Sequence, residues 1–327
     1  MSSNVDNQDM RRILLFLFLL FGGSGSAWAN EPTCTQPNTK YVGPMIDAMA
    51  QIESGMSRAV SEALDRSGVS RMALFARLHR KRNGEADVLS LKQRFPQRFF
   101  IGTPKPFDQR GDLSGRFVEQ TTSYLQDERY QFIGEIMFAH ADKSHGEQTA
   151  TGERYVAPDG KNVLKLLSAL EQRRIPVMIH WEVYDWIRDW PAFHALYSRF
   201  SGVTFIWPHA GFASIEQVLT VMSSHNNVMV TLSKKEKAQI SLSSEEKSEM
   251  LGEAIVDSCG KLLPEWRDLF TKYPDRFMFA TDAHKDFRWV KYAEIVEQWR
   301  FILGQLPDPI AQSLAWRNAE RTYTTSR

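Results

Sequence analysis

Pro176-Val177-Met178-Ile179-His180-Trp181-Glu182 and Val203-Thr204-Phe205-Ile206-Trp207-Pro208-His209-Ala210-Gly211 are short apolar runs that each deliver a histidine at their C-terminal end. Neither run alternates apolar with polar residues, the pattern of a parallel strand covered on both faces. Six more runs read the same way: Pro44 to Met49, Met72 to Phe75, Phe99 to Gly102, Phe132 to Ile136, Val228 to Leu232 and Phe277 to Ala280. Amphipathic stretches separate them. Met56, Ala59, Val60, Ala63 and Leu64 recur at helical spacing, with Gly68 placed to end the helix. A similar stripe begins at Val163. Near the C-terminus Asp308 can cap a helix whose first position is Pro309, with Ile310, Ala311, Leu314 and Ala315 following. Eight strand-helix units in alternation predict an α/β fold, a single-domain (β/α)8 TIM barrel over residues 41–327, because such barrels of about 250 residues run as one domain.

In a barrel of this kind the chemistry sits where strands end and βα loops begin. The first run leads into Asp47-Ala48-Met49-Ala50-Gln51, the fourth into Gly134-Glu135-Ile136, and the eighth into Thr281-Asp282-Ala283-His284. His180 and His209 close the fifth and sixth. A lone histidine at a strand end is more often structural than a ligand, and Glu135 alone reads equally well as an ion-pair partner. Four such residues at four strand ends put two imidazoles and two carboxylates on one rim.

The order Glu135, His180, His209, Asp282 at the ends of strands four, five, six and eight resembles the amidohydrolase-related family of the amidohydrolase superfamily. Pro176-Val-Met-Ile-His180, Pro208-His209-Ala-Gly211 and Phe279-Ala-Thr-Asp282 are similar to its strand motifs, and Asn318-Ala-Glu-Arg-Thr-Tyr323 to its closing helix. The resemblance spans Tyr41 to Tyr323. It implies a divalent metal, commonly zinc, that acidifies water and polarises the scissile carbonyl, with Asp282 accepting the water's proton. The departure lies on strand one, where the family carries Asp-x-His-x-His and this chain has Met49 and Gln51. A thioether and an amide carbonyl are poor zinc ligands, so that half of a two-metal site is expected to be lost. Glu135, His180 and His209 remain as metal ligands, and three ligands plus water make an open one-metal site.

Other rim candidates carry less information. The stretch from Ala139 to Gly160, read as a long loop, holds His140, His145, Glu153 and Arg154 and suggests a lid or substrate contact, or equally a surface excursion. Arg77, His79 and Arg80 follow strand two, and Lys234, Lys235 and Lys237 follow strand seven. Arg77, His140, Lys234 and His284 are the candidate substrate contacts, whereas Lys235, Lys237 and the exposed arginines read as a solvated charge run. Trp181, Tyr184, Trp186 and Trp190 read as helix-packing core, with Trp181 the one expected to line the pocket.

At the N-terminus Arg11 and Arg12 precede the apolar run Ile13 to Phe21, and Ala27-Trp28-Ala29 supplies a small-x-small cleavage site. A signal peptide over residues 1–29 and export to a periplasm are expected, with Met10 an alternative start of translation. The apolar run is far shorter than the roughly 20 residues a membrane span needs. Residues 30–40, polar and containing Pro32 and Pro37, form an expected flexible leader. Cys34 and Cys259 either pair in an oxidising compartment or stay one exposed and one buried thiol. The formal charge of +1 argues against nucleic acid or an anionic membrane as partner and leaves a small-molecule substrate. Three classes follow: a one-metal hydrolase of a small amide, ester or lactone; a metal-free lactonase or decarboxylase in the same pocket; or a ligand-binding barrel without catalysis.

Overall fold

The eight apolar runs lie side by side as parallel strands. In order around the sheet they are Ile46–Ile52, Arg71–Ala76, Phe99–Gly102, Tyr130–Asp142, Val177–Trp181, Phe205–Trp207, Val228–Thr231 and Phe277–Met278. These are the first to eighth strands below. The computed structural model describes residues 38–79, 82–105, 111–142, 149–233, 235–236 and 254–324. Ala48 N donates to Phe279 O (3.0 Å), Asp282 N to Met49 O (2.9 Å) and Gln51 N to Ala283 O (2.8 Å), joining the eighth strand back to the first. Joined in this way, neither the first nor the eighth strand is left as a free edge.

Two apolar layers follow from strand periodicity. Inward residues, among them Ile46, Ala48, Ala73, Phe75, Phe100 and Phe132, fill the barrel, and Tyr323 from the C-terminal helix (Asn318–Thr324) packs on Phe132 at 4.8 Å between ring centroids. Outward residues such as Leu74, Ile101, Ile133, Val177 and Phe205 pack against the helices. The helix at Ser57–Ser67 buries Val60, Ala63 and Leu64 and ends at Gly68 in the left-handed conformation, φ +69°. Tyr41 is buried and donates from its backbone to Arg300 O at 2.9 Å.

Two local expectations change. The fourth strand does not end at Ile136 but runs on to Asp142 and pairs antiparallel with Thr149–Tyr155, so half of the expected long loop is a hairpin arm. The pairing satisfies backbone groups that a loop of that length would leave to water. At the C-terminus Asp308 is the first helical residue, with Pro307 before it and no side-chain cap, so Pro309 sits one position later than expected. His145, Arg80, Lys234 and Lys237 lie outside the described residues, as do Cys34 and the N-terminal segment through Pro37.

Candidate active site

Alternation along the fifth strand decides which side chains reach the barrel mouth. Met178 points into the barrel, so His180 points the same way one layer higher and Trp181 points outward. Trp181 therefore does not line the pocket as expected. It is 1% exposed and stacks on Phe193 (4.1 Å), Trp207 (5.2 Å) and Trp186 (5.8 Å) in the helix layer.

Glu135 needs a change of parity, because Phe132 already faces inward. A register irregularity between Ile133 and Ile136 supplies it, turning Glu135 inward while Ile136 packs outward. A Cβ on Gly134 would lie 2.1 Å from the Thr103 carbonyl oxygen, so this close strand approach requires glycine. A similar shift between Asp47 and Ala50 turns Met49 and Gln51 toward the interior. His209 opens a left-handed turn, with φ of +59°, +51°, +60° and +55° from His209 to Phe212. Such backbone costs about 1–2 kcal/mol per non-glycine residue. It aims the His209 ring at the pocket, and Asp282, also left-handed at φ +47°, faces it.

The four residues expected at the site do converge, and the structure adds others. His180 Nδ1 lies 2.8 Å from Glu135 Oε1 and its Nε2 lies 2.9 Å from Glu182 Oε1. Burial alone would lower the His180 pKa, but these two carboxylates raise it above the ordinary value. Glu182 is fully buried and also accepts from His140 Nδ1 (2.8 Å) and Ala141 N (3.0 Å). Burial would raise its pKa; the hydrogen bonds from His140 and His180 hold it well below the usual range. Glu135 is likewise held well down against burial, chiefly by Lys105, whose ammonium pairs with Oε2, and then by His180. Gln51 Nε2 donates to Asp282 Oδ1 at 2.7 Å and reaches Glu135 Oε2 at 3.4 Å. Asp282 Oδ2 lies 3.7 Å from His209 Nε2 and 3.3 Å from His284 Nδ1.

These groups line a cavity of about 310 Å³ that also takes in Arg77, His140, Arg154, Phe212 and Lys285. Three of the four expected substrate contacts, Arg77, His140 and His284, are on its wall.

The donor set fits a divalent ion. One oxygen of Glu135 and one ring nitrogen each of His180 and His209 lie within 4.8 Å of one another, all buried. Each histidine also has its other nitrogen engaged, His180 Nε2 by Glu182 and His209 Nδ1 by Ser233 Oγ at 2.8 Å. A metal-binding histidine needs such a second hydrogen bond to fix its tautomer and ring orientation. On the first strand Met49 is buried in the barrel core, and its sulfur meets Thr231 Oγ1 at 3.9 Å.

The amidohydrolase family model matches residues 130–325. The chain belongs to the amidohydrolase family. Among solved structures, a probable 2-pyrone-4,6-dicarboxylic acid hydrolase from Acinetobacter baumannii, with citric acid bound, superimposes with a TM-score of 0.57 at 11% identity, covering 85% of this chain and 98% of that one. A 2,6-dihydroxybenzoate decarboxylase from Rhizobium gives 0.52 at 11% identity over 87% and 99%. An amidohydrolase from Burkholderia multivorans with bound zinc gives 0.50 at 15% over 86% and 99%. At such identities the likeness is one of fold. No curated protein sequence matches the chain.

In this amidohydrolase the sequence reading missed Lys105, Glu182 and Ser233. Lys105 and Ser233 each stand just past a strand end, where reading every strand end alike would have found them. Glu182 lies two residues from His180 in the run that decided the fold, but its role depends on His140 approaching from the hairpin arm.

Proposed function

We propose that this amidohydrolase hydrolyses a small amide, ester or lactone with one divalent ion, zinc, held by Glu135, His180 and His209. The observation that carries the reading is the engagement of both outer histidine nitrogens, by Glu182 and Ser233, which leaves the inner nitrogens of the two rings beside Glu135 and Asp282. When bound, the ion supplies Lewis acidity, polarising the carbonyl and bringing the pKa of water to ~7. Asp282 takes the water's proton and returns it to the leaving group. Gln51 fixes one Asp282 oxygen at 2.7 Å and so orients the other toward the pocket. Its neutral amide stands where an ion ligand would otherwise be, which limits the site to one ion. Purified protein is expected to hold at most one divalent ion per chain, and His180→Ala to hold none. Elemental analysis of zinc-supplemented protein checks this, and two ions per chain, or an unchanged content in His180→Ala, would reject the assignment.

A second reading, a metal-free enzyme of lactonase or decarboxylase type, is favoured by one observation. The Lys105 ammonium on Glu135 and the Gln51 amide across Glu135 and Asp282 already compensate the two carboxylates that an ion would otherwise neutralise. Zinc-supplemented protein that binds no metal yet turns over an activated ester or lactone would select it. No helix among the described residues is long and apolar enough to cross a membrane. We further propose export to the periplasm, on the basic, apolar and small-x-small segments of the first 29 residues. Protein recovered from the periplasm is expected to begin at Asn30, and N-terminal sequencing that finds the uncleaved segment would refute this.

A further inference from the structure

We propose that Arg77 is the substrate anchor of this pocket and that the substrate is a small carboxylate. The inference rests on the cavity being the substrate site, and adds to it the chemical class of molecule bound.

The cavity wall carries four permanent cations, Arg77, Lys105, Arg154 and Lys285, against two carboxylates, Glu135 and Asp282. An excess of fixed positive charge in a barrel mouth raises the local concentration of anions and disfavours cations. The cations are not equivalent. Lys105 is committed to Glu135, and Arg154 and Lys285 have interactions of their own. Arg77 is different: it is half-buried, and among the described residues its guanidinium has no hydrogen bond or ion pair. A partly desolvated guanidinium without a partner costs free energy that a bidentate carboxylate recovers.

Its backbone is held on both sides. Arg77 N donates to Ile52 O at 2.8 Å at the end of the first strand, and Arg77 forms an isolated parallel β-bridge with Lys105 beyond the third. A planar fork on fixed backbone selects a carboxylate by geometry as well as charge, which a lysine on a flexible stem does not. The cavity of about 310 Å³ lies at the low end of the range of small-molecule pockets, roughly 300–1,000 Å³, and so has room for a small acid.

The test is binding, so it does not depend on turnover. Acetate, succinate, glutarate, benzoate and phthalate, with the dimethyl esters of the dicarboxylates, are titrated into the full protein by calorimetry, with and without zinc, at constant ionic strength. At least one acid is expected to bind while its ester does not. Arg77→Leu is expected to weaken that binding by about tenfold or more, the scale of a lost charge-assisted hydrogen bond. Arg77→Lys is expected to restore part of it, and Arg199→Leu, at the exposed end of the helix Trp186–Arg199, to change nothing. Melting curves without ligand establish that each variant is folded. The proposal is overturned if no acid binds, if the ester binds as well as the acid, or if folded Arg77→Leu binds like the parent protein. Loss of zinc binding with carboxylate binding intact would reject the one-ion reading and leave this one standing.

Discussion

Asp282→Asn is expected to lower kcat about a thousandfold while leaving bound zinc near its parent level. A positioned general base contributes typically 10²–10⁴-fold, and an amide cannot take the water's proton. The substitution keeps shape, and an Asn oxygen can still accept from Gln51 Nε2, which donates to Asp282 Oδ1 at 2.7 Å. The left-handed backbone at Asp282 is also one that Asn tolerates. Folding should therefore be retained and the loss confined to turnover. Zinc content and kcat measured on the same preparation check it, using an ester or lactone found active by screening. Loss of the metal together with activity would make Asp282 a ligand and move the ion toward the first strand.

Asp47→Ala is expected to destabilise the barrel by about 3–5 kcal/mol, because it leaves several buried donors unpaired at once. Asp47 is fully buried and accepts from Met49 N (3.1 Å), Thr281 N (2.9 Å), Thr281 Oγ1 (2.6 Å) and Tyr292 OH (2.8 Å). Those bonds tie the first strand to the eighth beside the seam that closes the barrel. Burial pushes the Asp47 pKa up to about 6 from 3.8, the hydrogen bonds only partly offsetting it. The folded state thus binds this proton more tightly than the unfolded chain does. Relative to Asp47→Asn, which does not titrate, the parent protein should gain stability as pH falls from about 6 toward 3.8 and lose it as pH rises through that window. Denaturant melts of both proteins across the window check the sign; a parent that instead loses stability relative to Asp47→Asn on acidification would mean that Asp47 is not the group titrating.

Hydrophobic runs and helix signals are local, and so the barrel was legible in them. Continuous apolarity marks a strand buried on both faces, and Gly68 ends its helix through its own backbone conformation. His180, His209, Glu135 and Asp282 were legible for the same reason, because a strand end becomes part of the rim as soon as the barrel closes. Local pattern was thus enough to specify the barrel, its order of strands and the strand ends that carry chemistry. Which side chains face inward emerges only on folding, since single-residue irregularities near Asp47 and Ile133 invert the strand period and no residue type announces them. The partners of those side chains emerge in the same way. Lys105 neutralises Glu135, Glu182 and Ser233 orient the two histidines, and Asp47 pairs with Thr281 across the closing seam, contacts that are mostly between residues far apart along the chain. Charge and hydrogen bonding at the site depend on distance in space, and only the closed barrel sets those distances.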